Sequence, residues 1–111
     1  MARAVLRDPR FEREFLALPE EVRDSCWHVI AALRRRPFSP GIGFRVERLR
    51  RIAPTEAWVA HFWRNRYRLL YVLDGESLIL FGVGPRPGFY RRLDRIRDRR
   101  PGSGSRGGGS R

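Results

Sequence analysis

The sequence contains no lysine. All 24 of its basic residues are arginine, set against 12 acidic ones, for a formal net charge of +12 over 111 residues. There is one cysteine, Cys26, and there are two histidines. A lone cysteine excludes an internal disulfide. With two histidines it also makes a poor set for structural zinc, which takes about four Cys or His ligands. The longest apolar run, Leu78 to Val83, is far short of the ~20 residues of a membrane span. The start, Met1 to Pro9, lacks the hydrophobic stretch of a signal peptide. These absences lead to the expectation of a soluble cytoplasmic protein with no disulfide, metal, cofactor or membrane partner.

What is present is positive charge and a modest core. A hydrophobic fraction of 41% supports one small domain. A GC-rich coding sequence accounts for arginine in place of lysine, but not for the excess of basic over acidic residues. That excess implies a polyanionic or acidic partner: nucleic acid first, because each neutralised phosphate releases counterions, then an acidic protein or an anionic membrane surface. Arginine's planar fork also suits bidentate phosphate contact.

The spacing predicts a single domain over residues 1–98 and a disordered Gly/Ser/Arg tail over 99–111, whose composition cannot offset its ordering entropy. Arg3 to Arg7 reads as a short strand. Asp8 and Pro9 open a helix as N-cap and first helical residue, followed by Phe11, Phe15, Leu16 and Leu18. Pro19 opens a second helix, in which Val22, Cys26, Val29, Ile30 and Leu33 line one face. Arg34, Arg35 and Arg36 fill its last turn before Pro37. Cys26 is expected in the core and His28 at the surface. Residues 37–56 contain three prolines and two glycines and read as an irregular basic loop.

Beyond it the period changes to two. Trp58 to Trp63, Tyr67 to Leu73 and Leu78 to Val83 read as three strands. The first joint is a tight turn in which Asn65 takes a positive φ, and the second is a hairpin at Asp74-Gly75. Leu78 to Val83, continuously apolar, is expected inside the sheet. Phe89 to Arg97 reads as a last short helix. The predicted class is α+β, β-α-α-β-β-β with a C-terminal α, a helical hairpin packed on one face of a mainly antiparallel sheet. The opposite face is left without cover.

Several residues converge on that plan. His61 and Trp63 are expected on one face of the first hairpin strand, with Arg68 beside them on the next. Arg86 and Tyr90 are four apart, on one side of a helical turn starting there. Guanidinium groups, a histidine and a tyrosine are what metal-free RNA cleavage needs. A 2′-hydroxyl must lose a proton, the charge growing on the phosphate must be stabilised, and the leaving 5′-oxygen must gain a proton. Each residue also has a plainer reading. His61 can be a solvated polar side chain, Trp58, Trp63, Tyr67 and Tyr71 packing residues, Arg68 the partner of an acid, Arg86 a cap and Tyr90 a core anchor. Spacing alone therefore leaves an enzyme and an RNA-binding module equally open.

Four segments together resemble the RelE/ParE toxin superfamily of bacterial toxin–antitoxin systems. They are Phe11-Glu-Arg-Glu-Phe-Leu-Ala-Leu-Pro-Glu-Glu-Val, Leu33-Arg-Arg-Arg-Pro, Tyr67-Arg-Leu-Leu-Tyr-Val, and Gly82-Val-Gly-Pro-Arg-Pro-Gly-Phe-Tyr90. The resemblance implies the RelE fold. It also implies a ribosome-dependent, metal-independent mRNA endonuclease, held in check by a cognate antitoxin and oligomeric only through it. Arg68 and Arg86 match the phosphate-contacting arginines and Tyr90 the C-terminal tyrosine. His61 falls where the family places a basic residue, often lysine. Trp63 replaces another frequently basic residue and is suited to stack on a base. The position before Arg86 is proline rather than the usual basic residue. Trp63, Arg64 and Arg66 at the turn, with Arg45, Arg48, Arg50 and Arg51 in the loop, are the expected RNA contacts. The alternatives are a ParE-like inhibitor of DNA gyrase, which binds protein without catalysis, and a non-catalytic RNA-binding module.

Overall fold

The computed structural model describes residues 3–38, 43–49 and 56–91. Strand β1 (Ala4–Arg7) leads into helix α1 (Pro9–Leu16) and helix α2 (Glu20–Arg35), followed by strands β2 (Arg45–Leu49), β3 (Glu56–Phe62), β4 (Tyr67–Asp74) and β5 (Ser77–Pro85). The sheet order is β1-β5-β4-β3-β2. Among the described residues only the β1–β5 pairing is parallel. The apolar β5 is thus interior, flanked by β1 and β4. No helix is long and apolar enough among the described residues to cross a membrane.

The helical hairpin forms where the caps predict. Asp8 accepts the backbone N–H of Arg10 at 2.8 Å, satisfying one orphan donor at the start of α1, and Pro9 costs nothing where no N–H is needed. α1 ends before the Leu18-Pro19 joint, where Arg23 donates to the carbonyls of Leu16 and Leu18. Pro19 is the N-cap of α2, whose buried residues are Val22, Cys26, Val29, Ile30 and Leu33. Cys26 is fully buried, and burial pushes its thiol up to about 12. His28 is exposed. The Glu14 carboxylate ties α1 to the sheet by accepting the Val83 N–H at 2.9 Å.

Alternation divides the sheet into two faces. Under the helices, Ala60, Phe62, Leu69, Tyr71, Leu73, Leu78, Leu80 and Val83 join Phe11, Phe15 and the α2 stripe in one core. The Tyr71 hydroxyl donates to the Pro37 carbonyl at 2.6 Å, so this buried phenol is satisfied; burial raises its pKa. A bulge between Leu70 and Tyr71 pairs Tyr71 with Leu80 but Leu70 with Gly82, leaving Phe81 as the extra residue. Beyond the bulge, Val83 returns to the core, and Gly84 lies opposite Arg68.

Two expectations are corrected here. The stretch 37–56 is not wholly a loop, because Arg45–Leu49 forms edge strand β2, antiparallel to β3. An edge strand buries little, so the charged Arg-Val-Glu-Arg-Leu sequence is compatible with it. The face away from the helices is not bare either. Phe89 is buried and Tyr90 half-buried on it, in a second cluster with Leu49, Ala57, Val59, Leu70, Val72, Ile79 and Phe81. The proposed tail and the division at residue 98 lie outside the described residues, as do Arg50 and Arg51.

Candidate functional site

The β3–β4 turn is left-handed. Trp63, Arg64 and Asn65 have φ of 50°, 61° and 63°, and Arg66 donates its N–H to the Trp63 carbonyl at 3.1 Å. This is a type I′ turn around Arg64 and Asn65. Asparagine tolerates the conformation, whereas an ordinary side chain such as Trp63 or Arg64 pays about 1–2 kcal/mol for it. The twist removes Trp63 from the strand alternation. It does not share a face with His61, as the alternation predicted. Instead its ring packs at the margin of the helix-side core, edge-on to Tyr67 at 5.9 Å, with the Arg64 guanidinium 4.8 Å from its centroid.

His61 and Arg68 do come together. They sit directly opposite each other on β3 and β4, on the face away from the helices, and Arg45 of β2 extends the row on the other side of His61. Both are nearly excluded from solvent, His61 at 5% and Arg68 at 3% exposure. One terminal nitrogen of Arg68 donates to the carbonyls of Asn65 at 3.0 Å and Tyr67 at 3.1 Å. Its Nε is buried without a partner, and among the described residues no carboxylate pairs with it. A buried cation with an orphan donor and no acidic partner among the described residues is costly to the fold.

His61 is held from both sides. Its Nε2 lies 2.8 Å from Glu47 Oε1 and its Nδ1 lies 3.4 Å from Asn65 Oδ1. Burial pulls the imidazole pKa below its ordinary 6.5. The Glu47 hydrogen bond opposes this, the charges of Arg68 and Arg45 lower it further, and the Asn65 contact raises it slightly. The net shift favours the neutral ring. Sequence reasoning misses Glu47, because its segment reads as loop and Val46 and Leu49 fall three apart, on opposite faces, so no period-two pattern marks the strand.

Arg86 and Tyr90 are separated. Arg86 lies in the loop after β5, exposed, with its N–H donating to the Arg66 carbonyl at 2.8 Å. The helical turn begins only at Phe89, whose N–H reaches back to the Arg86 carbonyl at 3.1 Å. The two side chains are thus not on one turn of helix, contrary to the four-residue spacing. Pro87 and Gly88 intervene, with Gly88 at φ 78°. Tyr90 joins the second cluster beside Phe89, ring centroids 5.5 Å apart. Arg86 instead lines an open cleft of about 570 Å³ with Trp63, Arg64, Asn65, Arg66, Tyr67, Pro85 and Pro87. Arg64, Arg66 and Arg86 make it strongly positive. Of the remaining arginines, Arg45 lies in the His61 row and Arg48 points to the other face, opposite Trp58; both are exposed. Among the described residues no three His, Cys, Asp or Glu side chains are grouped to hold a metal ion.

No protein-family model and no curated protein matches the sequence. Solved structures do. The RelE–RelB complex from the archaeon Pyrococcus horikoshii OT3 is similar with a TM-score of 0.62 at 19% identity, over 78% of this chain and 97% of that one. The RelB–RelE antitoxin–toxin complex from Methanococcus jannaschii gives 0.61 at 14% identity, over 79% and 98%. The toxin–antitoxin complex RelBE2 from Mycobacterium tuberculosis gives 0.56 at 21%, over 78% and 100%. The chain has the RelE fold. On that fold His61 and Arg68 flank the left-handed turn, and Arg86 reaches the same end of the sheet through its bond to Arg66.

Proposed function

We propose that this chain is the toxin of a toxin–antitoxin pair and that it cleaves mRNA on the ribosome. The observation that carries the reading is Arg68, a buried guanidinium with an orphan Nε and no acidic partner among the described residues. Placing a charge there costs stability, and a phosphate is the ligand that offsets it. The fold supports the same reading, since the similar RelE chains were solved as complexes with RelB antitoxins. A cognate antitoxin is accordingly the proposed protein partner, and the cytoplasm the proposed location.

In this mechanism Arg68 and Arg86 hold the scissile phosphate and stabilise the charge that grows on it. One such donor is worth about 2.7–4 kcal/mol. His61 accepts the 2′-hydroxyl proton. The 2′-oxygen bonds to phosphorus, the bond to the 5′-oxygen breaks, and Tyr90 gives that oxygen a proton that water then restores. The products are a 2′,3′-cyclic phosphate and a 5′-hydroxyl. Trp63, Arg64 and Arg66 contact the flanking RNA. Arg45, Arg48, Arg50 and Arg51 are the proposed ribosomal RNA contacts.

The test is induction in growing cells of the wild type and of an Arg86→Ala/Tyr90→Phe double variant. The wild type is expected to arrest growth and cut translated mRNA, and the double variant to stay folded and do neither. Full toxicity in the double variant would sink the mechanism. A DNA damage response with intact mRNA would replace it with gyrase inhibition.

A further inference from the structure

Glu47 belongs to the edge strand β2 and lies diagonally across from His61, since Glu47 pairs with Val59 and Arg45 with His61. Residues so placed share a face and their side chains can meet. They do: Glu47 Oε1 is 2.8 Å from His61 Nε2. A carboxylate can only accept, so Nε2 carries the proton. In a neutral imidazole Nδ1 is then a bare lone pair. The atom beside it at 3.4 Å is Asn65 Oδ1, itself an acceptor, which gives the lone pair no donor. That contact is long, and Asn65 is exposed at the tip of the turn. A hydroxyl donor can therefore take its place.

We propose that Glu47 is a positioning residue, fixing the tautomer and ring orientation of His61 so that Nδ1 is the nitrogen offered to a substrate hydroxyl. What Nδ1 does there rests on the RNA-cleaving reading; the pairing itself does not. The groups facing the ring are Arg45 and Glu47 from β2, Arg68 from β4 and Asn65 from the turn. Burial first, and then the two guanidinium charges, outweigh the carboxylate and favour the neutral ring, the form that has a lone pair to use. When Nδ1 takes the 2′-hydroxyl proton, the imidazolium is held by the carboxylate on its other nitrogen. A carboxylate orienting a histidine from behind is the logic of catalytic triads. Glu47 is itself half exposed on an edge strand, so its truncation leaves the core intact.

The experiment reads the imidazole nitrogens directly, by long-range proton–nitrogen NMR correlation across a pH series on the full chain. His28→Gln assigns the second histidine. In the wild type above its midpoint, His61 is expected as a single tautomer, protonated on Nε2 and bare on Nδ1. In Glu47→Ala the signals should average toward a mixture of tautomers, and kcat for RNA cleavage should fall by about tenfold or more, with KM little changed. Glu47→Gln keeps an oxygen acceptor and should restore the tautomer and part of the rate. An unchanged His61 spectrum in Glu47→Ala overturns the pairing. An unchanged rate in an active enzyme overturns its role in the reaction. If the tautomer scrambles while the wild type cuts no RNA, the pairing stands and the RNA-cleaving reading falls.

Discussion

The face of the sheet beneath α1 and α2 buries Phe11, Phe62, Leu69, Leu78 and Leu80, and its buried phenol, Tyr71, donates to a carbonyl. Trp58 Nε1, at the rim beside Phe38, is buried there without a partner among the described residues. The opposite face has a smaller apolar cluster and buries a histidine and an arginine, the latter with an orphan Nε. Both faces belong to the same strands and differ by one residue in register. The first, apart from that indole N–H, is satisfied internally and stabilises the fold. The second leaves charge and hydrogen-bonding capacity unmet, which makes it poorer for stability and suited to an anionic ligand.

Substitutions on the two faces should therefore move different observables. Phe11→Ala, in the helix-side core, is expected to cost about 3–5 kcal/mol by chemical denaturation, because it removes a fully buried ring and leaves a cavity. Arg68→Met should do the reverse. It is expected to raise stability by roughly 1–2 kcal/mol, the lower range seen when buried ionic groups become apolar ones, while cutting mRNA cleavage by about 100- to 1000-fold. The carbonyls it abandons lie at the exposed turn, where water can reach them. A loss of stability comparable to that of Phe11→Ala would erase the contrast between the faces. Asp8→Ala removes the α1 N-cap and is expected to cost about 1 kcal/mol in the same denaturation assay, with cleavage unaffected.

The smallest effect is a pH slope. Since the folded pKa of His61 lies below its ordinary 6.5, the unfolded chain binds the proton more readily than the native one. The contribution of the neutral ring is fully present above pH 6.5 and is lost as pH falls from there through the folded value. Stability measured from pH 7.5 to 5.5 should decline more steeply for the wild type than for His61→Gln. Equal slopes would mean that the ring is as easily protonated folded as unfolded.

The helical hairpin, the three long strands and the helix-side core were legible because caps, prolines and apolar periods agree there: Asp8-Pro9, the Val22 to Leu33 stripe and Asp74-Gly75 each have one local solution. β2 was not legible. Arg45–Leu49 is stabilised by pairing to β3 on one side only, and its polar composition matches the loop around it. Missing β2 meant missing Glu47, the only acid beside His61 among the described residues. The proximity of His61 and Arg68 was legible from the register of a short hairpin. The displacement of Trp63 was not, because three consecutive left-handed residues are imposed by the twist of the flanking strands rather than by any glycine. Arg86 and Tyr90 parted for a similar reason: Pro87-Gly88 delays the helical turn to Phe89.

The central claim is that the unmet charge on the helix-free face is there for a phosphate of translated mRNA. Mapping mRNA 5′ ends after induction of the wild type and of Arg68→Met, with and without ongoing translation, tests it most directly. New 5′ ends are expected within translated frames for the wild type, none when translation is blocked, and none for a folded Arg68→Met. Identical cleavage by the wild type and Arg68→Met, or intact mRNA in arrested wild-type cells, would contradict it.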